Sequence, residues 1–333
     1  MNNLEAARAL AEADFTGIAE RFATAGLNIR LPAKGILQVR SQRAAGKRLR
    51  VLLSVGIHGD ETAPIEMLAQ LLAELSQQPE ELHADLMVAV GNLEAITLGK
   101  RFVDADLNRL FADDRGDLHA TAEAKRADLL MRATAEFFGA DGGEKWHLDL
   151  HTAIRPSHYP TFAVIPVGVA ERRKQDLAAW LGGAGIGAII LNTKPATTYS
   201  AYTANRFGAS ACTVELGQVG VLGQNRPGQF ALTAAAIDTM LRCGEILAFR
   251  RVAPAVFHVV QEIVKRSDDF QLHVDAATPN FTVLEPGALI ARDAVSTYHV
   301  GTVPEYVVFP NPDVRIGQRA GLMVVQRTAK TRP

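Results

Sequence analysis

Cysteine is scarce in this sequence, and neither sign of charge is in excess. The 333 residues include two cysteines, Cys212 and Cys243, and 35 lysines and arginines against 36 aspartates and glutamates. Two cysteines cannot build a disulfide framework and fit a reducing compartment, so we expect a cytoplasmic protein. The near-neutral balance argues against a general binder of nucleic acid or acidic membranes, because such proteins usually carry a basic excess.

Long apolar runs are also missing, and we expect no secretory leader. The most apolar stretch, residues 177–191, contains four glycines and is too short to span a bilayer. The first residues lack the basic start and apolar run of a signal peptide and have instead the pattern of an amphipathic helix. We therefore expect no membrane partner, and nothing in the sequence indicates an oligomeric state.

Apolar runs alternate with helical periodicity through the first 245 residues. The strand-like runs include residues 49–55, 85–90, 146–150 and 210–216, and residues 62–75 are an example of the helical pattern between them. This alternation predicts an α/β fold with a mixed, mostly parallel sheet and helices on both faces. Ligands of such sheets bind at the carboxyl ends of the strands.

The pattern changes near residue 250 to short extended runs broken by proline and glycine. These runs are residues 256–264, 281–284, 306–309 and 322–325. Little of this region has helical periodicity. We therefore predict two domains, a larger one of residues 1–250 and a small all-β C-terminal domain of residues 251–333.

A histidine and a glutamate lie three residues apart directly after the first strand. Residues 56–61 read GIHGDE, so His58 and Glu61 lie where a strand ends and a helix begins. An imidazole nitrogen and a carboxylate are ligands that suit zinc. The alternative is a simple helix start, in which Asp60 and Glu61 favour the positive end of the helix.

A second histidine group lies in the run at residues 146–150 and just beyond it. His147, Asp149 and His151 alternate with other residues and so share one face of a strand. His151, at the strand exit, could complete a metal site with the earlier pair, and Asp149 could orient its imidazole. The alternative is a histidine hydrogen-bonded at a strand end, but the two motifs together favour a metal site.

A polar loop lies between these motifs. Residues 99–109 contain Arg101, Asn108 and Arg109 among further charged residues, without helical amphipathicity. Arginine binds carboxylates bidentately, and the asparagine amide adds donors and an acceptor. Composition alone favours a solvated loop here.

One carboxylate, that of Glu215, lies within the apolar run at residues 210–216. A buried and unpaired carboxylate is costly, so Glu215 has a cationic partner or faces a site. Partial burial would raise its pKa toward the range of a general base. The alternative is a hydrogen-bonded glutamate at the edge of the sheet.

These four segments, in this order, resemble the succinylglutamate desuccinylase and aspartoacylase family of zinc amidohydrolases, which is related to the zinc carboxypeptidases. The motifs are HGDE at 58–61, Arg101 with DLNR at 106–109, DLHT at 149–152 and VELG at 214–217. The likeness is greatest to the desuccinylase branch, through the segments LDLHTAIR at 148–155, FPNP at 309–312 and RAGL at 319–322.

The resemblance implies a carboxypeptidase-like zinc hydrolase domain followed by a β-rich C-terminal domain. It implies one Zn²⁺ per chain, with His58, Glu61 and His151 as the ligands. It also implies Glu215 as the general base and acid, with Arg101 near the scissile carbonyl group.

The implied reaction is hydrolysis of the amide of N-succinyl-L-glutamate to succinate and L-glutamate, in arginine catabolism by the succinyl pathway. Asn108 and Arg109 would bind this small anionic substrate. Arg155, just past His151, is a further candidate from its position alone. Two alternatives stay open: an aspartoacylase-like hydrolase of another N-acyl amino acid, and a non-catalytic zinc- or anion-binding protein.

Overall fold

The computed structural model describes residues 2–41, 48–139, 143–247, 252–275 and 277–327. Within these ranges, the helices are α1 (Asn3–Ala11), α2 (Thr16–Thr24), α3 (Ala63–Leu75), α4 (Leu93–Leu98), α5 (Ala122–Phe138), α6 (Glu171–Gly183), α7 (Tyr199–Phe207) and α8 (Ala231–Cys243). The strands before α8 are β1 (Asn28–Ala33), β2 (Ile36–Arg40), β3 (Leu49–Val55), β4 (Asp85–Val90), β5 (Glu144–Ala153), β6 (Thr161–Ile165), β7 (Ala188–Leu191) and β8 (Ser210–Gln218). The strands after it are β9 (Ala255–Val264), β10 (Gln271–Leu272), β11 (Thr282–Leu284), β12 (Leu289–Arg292), β13 (Thr297–His299), β14 (Glu305–Val308) and β15 (Arg319–Gln326).

In the part of the chain that the structure describes, twelve strands form one mixed sheet. Their spatial order is β1-β2-β4-β3-β5-β8-β6-β7-β9-β15-β14-β11. The neighbours β4, β3, β5 and β8 at its centre run parallel, whereas β6 pairs antiparallel with β8. The carboxyl ends of β3, β5 and β8 therefore meet at one edge, where ligands of such sheets bind.

The central strands are covered by helices on both faces. Every residue of β3 and β4 is buried, as expected for parallel strands with no solvated side. In β5, Trp146 packs edge-on against Trp180 of α6, whereas the next residue, His147, contacts Thr203 of α7. Because successive side chains of a strand point to opposite faces, α6 and α7 cover opposite sides of the sheet.

The C-terminal region continues this sheet. Strand β9 pairs parallel with β7, and β15, β14 and β11 follow in antiparallel register. Phe162 of β6 packs against Phe281 with ring centroids 5.1 Å apart, so the two regions share an apolar core. Strands β10, β12 and β13 form a separate small antiparallel sheet.

The predicted fold class is confirmed: a mixed, mostly parallel central sheet with helices, plus an antiparallel C-terminal β region. The sequence pattern did not indicate that the C-terminal strands join the central sheet, because pairing between distant strands leaves no local periodicity. The predicted domain boundary between residues 250 and 251 lies outside the described residues and stays a prediction.

Two elements are longer than their apolar periodicity predicts. Strand β5 extends past Leu150 to Ala153, and its polar residues His151 and Thr152 there are buried rather than exposed. The helical periodicity of residues 175–181 predicts a shorter helix than α6, because a run of charged side chains hides the pattern at Glu171, where the helix begins. None of the helices in the described ranges is long and apolar enough to cross a membrane.

Candidate functional site: a histidine–carboxylate cluster beside a cationic cavity

Three adjacent parallel strands place the candidate residues at one edge of the sheet. His58 and Glu61 follow β3, while His151 near the end of β5 lies opposite Glu215 of β8 in the parallel register. Gly59 permits the loop after β3 to approach α4 closely, because a Cβ atom there would lie 2.2 Å from the backbone carbon of Ala95. Residues remote in sequence are thereby brought together.

His58, Glu61 and His151 form a buried cluster whose ligand atoms all lie within 4.8 Å of one another. The carboxylate of Glu61 lies between the two imidazoles, with Oε1 2.7 Å from Nδ1 of His58 and Oε2 2.9 Å from Nδ1 of His151. Burial raises the pKa of Glu61, but the two histidines outweigh burial and hold that pKa well below its ordinary value. Two imidazole nitrogens and one ionised carboxylate are a donor set that fits a divalent metal ion such as zinc. The cluster could hold such an ion.

Each histidine of the cluster has a second carboxylate at its far nitrogen. Asp106 Oδ1 lies 2.9 Å from Nε2 of His58, and Asp149 Oδ2 lies 3.0 Å from Nε2 of His151. Such carboxylates fix the ring orientation and tautomer of a metal-binding histidine. The orienting role expected for Asp149 is thus compatible with its position. Asp106 was not singled out for this role, because its place beside His58 depends on the path of the loop.

A chain of buried hydrogen bonds extends from Asp149 to α7. Ser54 Oγ donates to Asp149 Oδ1 at 2.6 Å and lies 2.8 Å from Nε2 of His147. Nδ1 of His147 lies 2.8 Å from Oγ1 of Thr203. Burial lowers the pKa of His147 to about 4, so this imidazole is neutral at physiological pH. His147 therefore belongs to the framework that holds Asp149, not to the His58–Glu61–His151 cluster.

Glu215 presents a buried carboxyl group beside the cluster. Its residue is 6% exposed, and Oε2 makes no hydrogen bond to any residue that the structure describes. Burial raises its pKa to about 7, and the charge of Glu61 adds to this effect while His151 opposes it. A carboxyl group with a pKa near neutrality can both accept and return a proton.

The loop of residues 99–109 lies against the cluster and is not simply solvated. Arg101 Nη1 donates to Oε1 of Glu61 at 2.8 Å. Asn108 is buried, and its Oδ1 accepts a hydrogen bond from the backbone N–H of Tyr199 at 3.0 Å. Arg109 donates to the backbone carbonyl of Asn108 at 3.3 Å and stays partly exposed. The solvated loop favoured by composition is therefore wrong for these side chains.

A cavity of about 750 Å³ is lined by the His58–Glu61–His151 cluster, by Glu215 and by side chains of the loop of residues 99–109. That volume is within the range of small-molecule sites. Its lining includes four arginines, which are Arg101, Arg109, Arg155 and Arg319. Arg155 donates to the backbone carbonyl of Asp275 at 2.9 Å, so it also links the loop after β5 to the C-terminal region.

The C-terminal region supplies one wall of the cavity. Asn280, residues 309–313 and Arg319 all line it. Arg319 belongs to the segment RAGL, for which the sequence assigned no role. Its position at the cavity depends on the pairing of β15 with β9, which local sequence patterns do not reveal.

Comparisons with known proteins agree with this architecture. The model of the succinylglutamate desuccinylase/aspartoacylase catalytic domain matches residues 47–242, and the model of the AstE/AspA barrel-sandwich hybrid domain matches residues 253–327. A curated succinylglutamate desuccinylase from Burkholderia thailandensis is 42% identical over 300 residues, which cover 89% of this chain and 85% of that protein.

Solved structures are similar over most of the chain. The succinylglutamate desuccinylase of Vibrio cholerae has a TM-score of 0.83 at 31% identity, covering 90% of this chain and 88% of that one. The enzyme of the same name from Chromobacterium violaceum has a TM-score of 0.78 at 32% identity, covering 94% and 98%. Murine aminoacylase 3, with a TM-score of 0.56 at 19% identity over 85% and 97% of the chains, shares the fold. The resemblance found in the motifs is confirmed, and the chain belongs to the succinylglutamate desuccinylase/aspartoacylase family.

Proposed function

We propose that this protein hydrolyses the amide bond of N-succinyl-L-glutamate, giving succinate and L-glutamate. The observation that carries the proposal is one cavity in which four arginines lie beside the His58–Glu61–His151 cluster. The substrate is a small trianion, and a cavity lined by cations favours it over uncharged peptides. The 42% identity to a curated protein of that name supports the same substrate. As the family resemblance implies, we assign the reaction to arginine catabolism.

We further propose that His58, Glu61 and His151 hold one Zn²⁺ per chain. When bound, the ion supplies Lewis-acid chemistry that activates water and polarises a carbonyl group. Asp106 and Asp149 hold the two imidazoles in place from their far nitrogens. The three ligands are buried, so the protein provides them in a fixed arrangement before any ion binds.

Glu215 is the proton-transfer group in this proposal. Its carboxylate takes a proton from the attacking water and returns it to the nitrogen of the departing glutamate. The raised pKa suits both steps, because the group gives up a proton as readily as it binds one near neutral pH. No covalent acyl-enzyme is needed.

Arg101, Asn108, Arg109 and Arg155 orient the substrate in this proposal. A guanidinium group has five N–H donors, so Arg101 can stabilise a developing oxyanion while it remains bonded to Glu61. Asn108 uses its oxygen to bind the start of α7, and its amide nitrogen makes no hydrogen bond to the described residues. That nitrogen is a donor for the substrate.

The test of the proposed function is succinate release from N-succinyl-L-glutamate by zinc-loaded protein. N-acetyl-L-aspartate is assayed beside it, and a chelated sample is the control. We expect chelator-sensitive turnover of the succinyl substrate alone. Turnover of the acetyl substrate instead would move the specificity to the aspartoacylase side, and turnover of neither by zinc-bound protein would contradict a hydrolase of this type.

The pH dependence of kcat/KM is expected to report the carboxyl group of Glu215. Burial raises its pKa to about 7, and the positive charge of a bound metal ion lowers it again, so the midpoint is expected between the ordinary 4.5 and about 7. Because the base acts as a carboxylate, kcat/KM falls as the pH drops through this midpoint and is level above it. The measurement is a pH profile of the wild type and of Glu215→Gln, whose residual rate should lack this acidic limb. A midpoint at or below 4.5 would contradict the assignment.

A further inference from the structure

Arg319 lines the cavity and has no ion-pair partner among the described residues. It is the first residue of β15 and lies opposite Val264 of β9, which fixes its backbone at the sheet edge nearest the cavity. The next residue, Ala320, is fully buried and accepts a hydrogen bond from the backbone of Asn311 at 2.8 Å. The guanidinium group of Arg319 makes no side-chain hydrogen bond or ion pair with the residues that the structure describes.

Arg109 lines the same cavity, and its charge acts on Arg319. Burial and the charge of Arg109 lower the pKa of Arg319 to about 10, so Arg319 remains charged at neutral pH. The two arginines come from different parts of the chain, Arg109 from the loop after α4 and Arg319 from the C-terminal region. Two charges of the same sign that are brought together in a partly buried place repel each other unless an anion lies between them.

The acidic residues near Arg319 are already engaged elsewhere. Glu262 Oε2 forms an ion pair with Nζ of Lys194 at 3.1 Å. Asp106 Oδ1 lies 2.9 Å from Nε2 of His58, and its Oδ2 pairs with Nη2 of Arg109 at 3.9 Å. Neither carboxylate makes an ion pair with Arg319, so no acidic side chain in the described part of the chain neutralises its charge.

We propose that Arg319 and Arg109 form a carboxylate subsite in which both guanidinium groups bind one carboxylate of the substrate, an assignment that rests on the proposed function. Arginine offers paired N–H groups that match the two oxygens of a carboxylate, and two arginines can bind it from two sides. The C-terminal region thus selects the substrate directly: it recognises an N-acyl amino acid by a charged end group. A neutral group at this position of the substrate would leave Arg319 without an anionic partner.

The experiment compares Arg319→Gln with wild type on N-succinyl-L-glutamate and on three analogues that each lack one carboxylate. These are N-butyryl-L-glutamate, N-succinyl-L-norvaline and the α-amide of N-succinyl-L-glutamate. For the full substrate, kcat/KM is expected to fall about 10- to 100-fold, the effect of losing one charge-assisted contact. For the analogue that lacks the bound carboxylate, the same substitution should cause almost no further loss.

Two further variants separate recognition from structure. Arg319→Lys keeps the charge but not the paired donors, so we expect a smaller loss of kcat/KM with the same dependence on the substrate. If Arg319→Gln does not fold, the comparison of substrates is made with Arg319→Lys instead. Arg292→Gln removes an exposed arginine of β12 that contacts Gln271 and does not line the cavity, and it should retain wild-type kinetics. An equal loss on all four substrates, or no loss on any, would overturn the subsite.

A binding measurement keeps this test independent of turnover. Tricarballylate, a stable tricarboxylate, is titrated calorimetrically into wild type and Arg319→Gln. Weaker binding of tricarballylate by the variant supports the subsite even if wild type hydrolyses none of the substrates. The absence of hydrolysis would overturn only the proposed function. Equal affinity of the two proteins would overturn the subsite whatever the kinetics of hydrolysis.

Discussion

Replacement of Glu215 with glutamine is expected to lower kcat for N-succinyl-L-glutamate by about 100- to 10,000-fold, the usual contribution of a positioned acid–base group. Glutamine has nearly the same shape but cannot take up a proton from water. Burial disfavours the charged form of this carboxyl group, so we do not expect a neutral amide in its place to destabilise the fold. The loss should therefore appear in turnover and leave the unfolding temperature near that of wild type.

The matched control for this substitution is Glu136→Gln. Glu136 is exposed on α5 and forms a surface ion pair with Arg30 at 3.4 Å. Unlike Glu215, it is not buried and does not line the cavity. Its substitution should leave kcat unchanged, because exposed ion pairs contribute little. Metal content is measured for both variants. If Glu215→Gln binds the metal normally and keeps most of the wild-type kcat, another group carries the proton.

If the proposed zinc site is correct, removal of the metal ion is expected to reduce turnover at least about 1000-fold. A bound divalent cation stabilises the transition state by several kcal/mol, and about 1.4 kcal/mol corresponds to a tenfold change in rate. Chelator-treated wild type should recover its activity when Zn²⁺ is returned. His58→Ala should not recover, since it removes one of the three donors and leaves Asp106 without its imidazole partner. The measurement combines turnover with metal content after dialysis.

Thermal unfolding gives a second measure of the same site. A ligand that binds only the folded state raises its stability, so Zn²⁺ should raise the unfolding temperature of apo wild type and raise that of His58→Ala much less. His119→Ala is the control, because His119 is exposed and bonds only to the backbone carbonyl of Gly116 among the described residues. A chelated protein that is free of metal yet fully active would contradict a metal-dependent reaction.

The His58–Glu61–His151 cluster could be predicted because its members lie at positions that local patterns reveal. HGDE follows an apolar run that predicts β3, and the alternation in β5 places Asp149 and His151 on one face. The parallel order of the strands then brings the carboxyl ends together. Spacing and strand period were sufficient to indicate which residues to consider, although not the distances between them.

Asp106 and Arg319 show what local patterns could not supply. Asp106 reaches His58 through a loop without regular periodicity, and Arg319 reaches the cavity through an antiparallel pairing with a strand far away in sequence. Both positions depend on tertiary packing and not on the preferences of nearby residues. For the same reason, neither the hairpin of β1 and β2 nor the joining of β9 to β7 was expected.

The pairing of β9 with β7 also bears on whether the two regions are separable modules. A chain that stopped before residue 252 would leave β7 as an open edge of a largely buried sheet, with the apolar face around Phe162 uncovered. Open edges invite pairing with other chains, and uncovered apolar surface invites aggregation. The C-terminal region therefore covers the edge of the sheet at β7 and also forms one wall of the cavity. Recombination that exchanged it between relatives would have to preserve the strand pairing and the substrate contacts at the same time.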